Sequence, residues 1–357
     1  MKVSDLSRKD LGRLIKISKS QAMVGLIAHE IMVHDGFAGV LNEEVRERLT
    51  FLVQESYFNY QRLNTILISV VSELRKHGID PVLMKGQGVS KSYPIPEIRQ
   101  SGDIDIYVGQ ENFEKACQVI GEMSTSEDHQ GDISSLKHFH TSISSVYIEI
   151  HRFTDVYHPK RYDRKYQRIS DAGMHAGLVP MMFGETEIMT PELNFNVFFI
   201  FNHFWHHFIS DGVGLRQICD WARLLHVNHG KLDLDYLAGV LRELKLMKAW
   251  QVFGYIAVNN LGLPAEQMPF YDKRCAKRAA RLLDLIMREG NFAVEKHRLE
   301  KRPDGYVAGK LYTLTQDAKR DFLVFRMFPW DAVKHIAKTF FDGVGNVFGD
   351  AIGKYRS

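Results

Sequence analysis

The chain has 357 residues, of which 45% are apolar and 25% charged, and its 46 lysines and arginines nearly balance its 43 aspartates and glutamates. This composition is typical of a globular protein of roughly two domains, and it excludes histone-like and strongly acidic proteins. The 3 cysteines are far apart and form no CxxC pair, which argues against a disulfide framework or a structural zinc site.

The sequence shows no targeting or membrane segment. The first ten residues lack the apolar core of a signal peptide, and the densest apolar run, residues 195–201, is far shorter than the roughly 18 apolar residues of a membrane span. The sparse cysteines are typical of a reducing compartment. We therefore expect a cytoplasmic protein that does not contact a membrane.

Residues 1–78 carry apolar side chains at helical spacing, for example Ile66, Val70 and Leu74. Gly78 follows two basic residues, as is common just after the last turn of a helix. We predict that these residues form an N-terminal helical segment that packs on the rest of the protein.

Strand patterns replace the helical spacing within residues 79–190. A short apolar run ends at Met84, and polar and apolar residues alternate over 103–108 and again over 139–153. A helical pattern lies between them at 112–123. Strands joined by short turns around a helix predict a small mixed sheet that is covered by helices and forms the core domain.

Strand patterns almost disappear after residue 190, and we predict that residues 191–357 form a C-terminal helical domain. Its helical patterns cover residues 193–208, 214–226, 234–244 and 249–261. The three segments together predict an α+β fold, in which a small mixed sheet lies between an N-terminal helical segment and a C-terminal helical bundle.

Asp103 and Asp105 are the most informative pair of residues in the sequence. Because they are two positions apart in a predicted strand, both carboxylates lie on the same face of the sheet. Neighbouring carboxylates repel each other unless a cation lies between them, and Mg²⁺ prefers oxygen ligands and phosphates. Glu149, on another alternating strand, supplies a third carboxylate. The three predict a site for two Mg²⁺ ions, or Mn²⁺ in their place, that supports phosphoryl or nucleotidyl transfer.

The glycine-containing turn that starts at Lys85 is predicted to bind phosphates. It follows a strand and precedes a helix, where the backbone N–H groups of Gly86 and Gly88 can approach phosphate oxygens closely. Lys85 can reach the same oxygens as a point charge, and Arg99 can make a bidentate contact. With Gly102, just before the carboxylates, these residues form the predicted NTP-binding set.

These motifs resemble those of the nucleotidyltransferases of the DNA polymerase β superfamily, and in particular a group of little-characterised bacterial nucleotidyltransferase-family proteins. The resemblance rests on Leu83-Met-Lys-Gly, Tyr93-Pro, Arg99, Gly102-Asp-Ile-Asp-Ile, Ile148-Glu-Ile-His151 and, in the helical half, His203 and residues 215–221. It covers most of residues 60–265. The turn differs from the Gly-Ser or Gly-Gly that is usual in the superfamily, because here it reads Lys-Gly-Gln-Gly.

The resemblance implies Mg²⁺-dependent transfer of a nucleoside monophosphate from an NTP to a hydroxyl or phosphate acceptor, with release of pyrophosphate. Asp103 and Asp105 would bind both ions, and Glu149 would bind the catalytic ion and could accept the acceptor's proton. His151, on the face of Glu149, and His203 are candidates for the substrate cleft, with plain strand or interhelical histidines as the alternative. The acceptor is a small molecule, a protein or an RNA end, and the sequence does not choose among them.

Other interpretations fit parts of the sequence. The altered turn fits a regulatory module that binds NTP without turnover. The basic run over 273–302 fits a helical nucleic-acid-binding protein, although such runs are usually solvated faces. His203 and His207 have the spacing of two zinc ligands on one helix face, but they lack the glutamate of an HExxH motif. Arg216 and Asp220 are spaced to pair along their helix.

Overall fold

The computed structural model describes residues 7–124, 138–157, 159–210, 212–291, 315 and 322–329. In this part of the chain, α-helices surround one six-stranded sheet, which confirms the α+β class. The strands are β1 (Val82–Met84), β2 (Asp103–Tyr107), β3 (His138–Ile143), β4 (Val146–His151), β5 (Val179–Phe183) and β6 (Thr186–Thr190). The helices are α1 (Arg8–Ser20), α2 (Val24–Val33), α3 (Glu43–Lys76), α4 (Gly86–Ser90), α5 (Gly109–Met123), α6 (Lys160–His175), α7 (Leu193–Ser210), α8 (Leu215–Val227), α9 (Leu234–Glu243), α10 (Met247–Leu261) and α11 (Ala276–Glu289).

The sheet is mixed, and its strands lie in the order β3-β4-β2-β1-β6-β5. β2 runs parallel to β4 and β1 parallel to β6, whereas the other neighbours are antiparallel. The alternation predicted over 139–153 is a hairpin of two strands. Ser144 and Ser145 join them with φ values of 48° and 62°, the left-handed region that a tight turn requires.

The hairpin of β5 and β6 and the helix α6 are elements that the sequence patterns did not predict. β5 lies at the edge of the sheet, and its residues Val179 and Met182 are 39% and 51% exposed. An edge strand that is partly in solvent does not need a regular apolar alternation, so its sequence carries little strand signal.

The two faces of the sheet are buried under different helices. Leu83, Ile104 and Ile148 lie on the face that packs with α3 and α5. Met84 and Tyr107 lie on the opposite face, in one apolar cluster with the helices of the C-terminal half. Strand alternation produces this division, and it also puts Asp103 and Asp105 on the second face, toward the helical half.

The helices α1 to α3 agree with the helical prediction for the N-terminal part of the chain. Val70 and Leu74 of α3 are fully buried. The helix ends as predicted, because Gly78 has a φ of 72° and its N–H donates to the carbonyl of Arg75 at 2.9 Å.

The C-terminal half has an aromatic core. Trp205, Trp221 and Trp250 are almost completely buried, and the rings of the last two are 4.6 Å apart. The helices α7 to α10 correspond to the four predicted helical patterns. This core continues onto the sheet, because Met84 belongs to the same apolar cluster as the C-terminal helices. The core therefore does not mark a domain boundary, and the boundaries near residues 78 and 190 stay predictions.

Part of the predicted basic run is the helix α11. Its residues Leu282 and Ile286 are buried, so the charged side chains lie on the outer face. Residues 292–302 of that run lie outside the described residues. Among the helices of the described segments, none is long and apolar enough to cross a membrane.

Candidate active site

The register of the sheet brings the predicted carboxylates together. Asp105 of β2 lies directly opposite Glu149 of the parallel strand β4. Asp103 is two residues earlier on the same face of β2, and all three side chains line one cleft of about 610 Å³. Asp105 is buried, whereas Asp103 and Glu149 are half-buried at the cleft surface.

His151 links two of these carboxylates. Its Nε2 lies 2.9 Å from Asp105 Oδ1 and 3.2 Å from Glu149 Oε2. From β3, Nδ1 of His140 lies 3.2 Å from Glu149 Oε1. Burial raises the pKa of Glu149, but hydrogen bonds from His140 and His151 outweigh it and hold the pKa well below its ordinary value. Glu149 is therefore ionised at neutral pH.

The donor atoms fit a divalent cation. A carboxylate oxygen of Asp105, one of Glu149 and a ring nitrogen of His151 lie within 4.8 Å of one another, and no other such group of three occurs among the described residues. Burial raises the pKa of Asp103, and the neighbouring carboxylate of Asp105 raises it further. A cation between these groups would relieve the repulsion, and carboxylate ligands suit Mg²⁺ or Mn²⁺.

Lys85 reaches into the carboxylate group from the end of β1. Met84, the last residue of that strand, pairs with Asp105 in the register of the sheet. Lys85 Nζ lies 2.7 Å from Asp105 Oδ1 and 3.2 Å from Nε2 of His203. Burial lowers the pKa of Lys85, but the nearby carboxylates, foremost Asp105, outweigh it and hold the pKa above its ordinary value. The ammonium that was predicted to contact phosphates thus contacts a carboxylate.

The three predicted glycines do not share one position. Gly86 and Gly102 line the cleft, and Gly86 has a φ of 30° with the backbone oxygen of Asp103 close by. Gly88 is not among the residues that line the cleft, and a methyl group there would meet Thr190 Cγ2 at 3.6 Å. The backbone therefore lines the cleft at two places, at Gly86 in the turn and at Gly102 just before β2.

Arg99 lines the same cleft, but its guanidinium is occupied. Its Nε and Nη2 donate to the two different carboxylate oxygens of Asp220, each at 2.8 Å. The hydroxyl of Tyr93 donates to Asp220 Oδ1, also at 2.8 Å. Asp220 therefore pairs with Arg99 across the fold, and not with Arg216 along its own helix.

A comparison with protein families shows which family the chain belongs to. Residues 7–262, more than two thirds of the chain, match the model of a family described as uncharacterised nucleotidyltransferase. The chain belongs to this family. The match confirms the resemblance to nucleotidyltransferase-family proteins and includes the sheet, the cleft carboxylates and the helices α7 and α8. Searches of curated proteins and of solved structures find no significant match.

Arg216 is a cleft residue that the sequence analysis did not select for the site. Its Nη1 donates to the carbonyl of Gln100 at 3.0 Å, and its buried Nε has no hydrogen-bond partner among the described residues. Burial and the adjacent charge of Arg99 lower the pKa of Arg216. A half-buried guanidinium whose buried Nε still has a hydrogen to donate is suited to an anionic ligand. The sequence signals for it were the Arg/Asp spacing of α8 and its place within residues 215–221, which the resemblance includes.

His203 and His207 lie side by side on the face of α7 that lines the cleft. Their Nε2 atoms are 3.1 Å apart, and His203 also contacts Lys85. His206 points elsewhere and hydrogen-bonds to Asp155. The described group of three metal ligands does not include these histidines, so the structure places them at the cleft beside the ammonium and not in a zinc site.

Residues from three distant chain segments also meet at the cleft. Ala22, Gln217 and Asn291 line it, and the Gln217 side chain hydrogen-bonds to Asn291. The Gln21 amide joins the same segments, accepting from the Leu215 N–H at 2.9 Å and donating to the backbone of α11 at 3.1 Å. Nothing in the local sequence indicates these positions, because they meet only through the packing of α1, α8 and α11.

Proposed function

We propose that the protein transfers a nucleoside monophosphate from an NTP to a hydroxyl or phosphate acceptor, with a divalent metal ion and with release of pyrophosphate. The convergence of Asp103, Asp105 and Glu149 on one cleft of a nucleotidyltransferase-family chain carries this proposal. The acceptor oxygen attacks the α-phosphorus of the NTP, the bond from that phosphorus to the bridging oxygen of pyrophosphate breaks, and a hydroxyl acceptor releases its proton to solvent.

Asp105 and Glu149, which with His151 form the described donor group, are the residues that would hold the metal, and Asp103 lies on the same face outside that group. When bound, Mg²⁺ or Mn²⁺ would offset the charge on the phosphates and lower the pKa of the attacking hydroxyl. His140 and His151 keep Glu149 ionised and fix its two oxygens, which suits Glu149 as a ligand and makes it a weak proton acceptor. Asp103, half-buried in the same cleft, is the remaining predicted carboxylate and would contact the bound metal or the substrate.

The triphosphate would lie against Gly86, Gly102 and Arg216. The glycines permit close approach of phosphate oxygens to the backbone, and the unpartnered Nε of Arg216 can donate to them. Arg99, predicted to contact phosphate, instead acts as a positioning residue, because it fixes Asp220 on α8 beside Arg216.

An assay with α-labelled NTPs tests the proposal. With Mg²⁺ or Mn²⁺ and a panel of small-molecule, protein and RNA acceptors, the protein should release pyrophosphate and transfer label. Asp103→Asn and Asp105→Asn should each abolish both signals while the circular dichroism spectrum stays unchanged. Asp80→Asn is the matched control, because the Asp80 side chain is 89% exposed outside the cleft. Retained labelling in both cleft variants would reject the assignment.

The contact of Lys85 with Asp105 also favours a second candidate, a regulatory module that binds NTP without turnover. Such a module would bind a non-hydrolysable NTP in calorimetry as tightly as it binds the NTP itself. It would release no pyrophosphate with any acceptor.

Nucleic-acid binding through α11 and the residues after it is the weaker alternative, and it predicts salt-dependent RNA binding that survives Asp103→Asn.

A further inference from the structure

The carboxylate of Asp105 already carries cationic and hydrogen-bonding partners from the protein. Its Oδ1 accepts from Lys85 Nζ at 2.7 Å and from His151 Nε2 at 2.9 Å. The side chain of Asp105 is 2% exposed and that of Lys85 11%, so solvent screens their attraction only weakly. An ammonium that is nearly buried beside a buried carboxylate is a fixed part of the site.

The backbone is bent to place that ammonium. Side chains alternate along a strand, so a residue directly after Met84 would ordinarily point to the face covered by α3 and α5. Lys85 instead has a φ of 51° and a ψ of −143°, a conformation that residues other than glycine rarely adopt. This turn directs its side chain to the face of Asp105. Strain of this kind, about 1–3 kcal/mol, is typical of functional sites.

A site with two metal ions places them about 3.5–4 Å apart. A carboxylate that binds one ion through each of its oxygens needs both oxygens free. Asp105 cannot serve as such a bridge while Lys85 and His151 occupy Oδ1. We propose that the Lys85 ammonium replaces one of the two metal ions, so that the nucleotidyltransferase binds a single divalent ion per chain. This inference rests on the proposed function, and it revises the sequence prediction of two ions.

The formal charges support a single ion. The three carboxylates Asp103, Asp105 and Glu149 carry three negative charges, which one divalent ion and the Lys85 ammonium balance. Before a nucleotide binds, a second divalent ion would leave two excess positive charges next to Lys85 in this half-buried site, and like charges at short distance are unfavourable there. The single ion would then bind to Glu149 and the remaining oxygen of Asp105, with Asp103 in the same cleft.

Counting bound Mn²⁺ tests the inference independently of catalysis. The full chain, stripped of metal with a chelator, is titrated with Mn²⁺ with and without a non-hydrolysable NTP, and electron paramagnetic resonance measures free and bound ion. Wild type should bind one ion with the spectrum of isolated Mn²⁺. Lys85→Met removes the charge and keeps the length of the side chain. This variant should bind two spin-coupled ions, the second with an affinity about 10-fold higher than any weak second binding to wild type.

Two variants serve as controls. Lys91→Met removes an exposed lysine at the end of the same short helix α4 and should keep one ion. Lys85→Arg keeps a cation and should also keep one ion, which provides a folded comparison if Lys85→Met does not fold.

Two coupled ions in wild type, or a single ion in a folded Lys85→Met, would overturn the inference. Wild type that binds no Mn²⁺ would overturn it together with the metal centre. Failure of the proposed function is a separate result, namely one bound Mn²⁺ and a bound NTP without any release of pyrophosphate.

Discussion

Arg99 and Asp220 form a buried ion pair in which two nitrogens of the guanidinium each donate to a different carboxylate oxygen at 2.8 Å. The pair joins the segment before β2 to helix α8, two parts of the chain that are more than 100 residues apart. Both side chains are less than 10% exposed. Because β2 carries two cleft carboxylates and α8 carries Arg216, this pair holds together two elements that line the cleft.

Removing one partner of this pair should destabilise the fold. Arg99→Met leaves Asp220 buried without its cation, and loss of one partner of a buried ion pair costs about 3–5 kcal/mol. Urea unfolding measures the change in the free energy of unfolding. The control is Arg168→Met, because Arg168 also contacts both oxygens of a carboxylate, Glu243, but is 70% exposed. The free energy of unfolding of Arg168→Met should fall by less than about 1 kcal/mol. An equal fall in Arg99→Met and Arg168→Met would contradict a structural role for Arg99.

Replacement of Arg216 should weaken NTP binding more than it affects stability. Loss of a charged hydrogen bond to phosphate costs about 1.5–3 kcal/mol, so Arg216→Met should raise KM for the NTP by about 10- to 100-fold. Steady-state kinetics of pyrophosphate release provide the measurement. Arg223→Met is the matched control on α8, because Arg223 donates to the carbonyl of Ser92 and does not line the cleft. The same rise in both variants would indicate a disturbed helix and not a lost phosphate contact.

Alanine substitutions should distinguish the two glycines of the turn. Gly86 has a φ of 30°, and a methyl group there would lie 3.3 Å from the backbone oxygen of Asp103. Gly86→Ala should therefore lower the free energy of unfolding by about 1–3 kcal/mol and reduce NTP affinity. Gly88→Ala places its methyl group in ordinary contact with Thr190, so its stability should change by less than about 1 kcal/mol. Thermal melts and calorimetric NTP titrations measure both effects. A larger loss of stability in Gly88→Ala than in Gly86→Ala would contradict the described turn.

Metal should stabilise the folded protein, and chelation should reverse the effect. A ligand at about 100 times its Kd adds about 2.7 kcal/mol to the free energy of unfolding. Thermal melts in Mn²⁺ and in EDTA should therefore differ for wild type, and much less for Glu149→Gln, which loses a charged ligand. Asp284→Asn, on the exposed side of α11, should retain the full difference. An unchanged metal effect in Glu149→Gln would place the ion elsewhere.

Some of the site follows directly from the local sequence. The period of two in β2 places Asp103 and Asp105 on one face, independently of the rest of the chain. The same rule places Glu149 and His151 on one face of β4. The period of 3.6 likewise predicts α7 to α10, since each helix needs an apolar stripe to bury. Elements without a regular apolar stripe or alternation, such as β5 at the sheet edge, escape this kind of prediction.

The sequence by itself determined which side chains share a face of a strand or a helix, because that depends only on the geometry of one segment. Which faces meet was decided by the tertiary structure. The parallel pairing of β2 with β4 places Asp105 opposite Glu149. The unusual backbone conformation of Lys85 places its ammonium beside the carboxylate of Asp105. The packing of α8 brings Asp220 into contact with Arg99. These contacts join residues distant along the chain, so their energies depend on the packing of the whole fold and leave no local pattern.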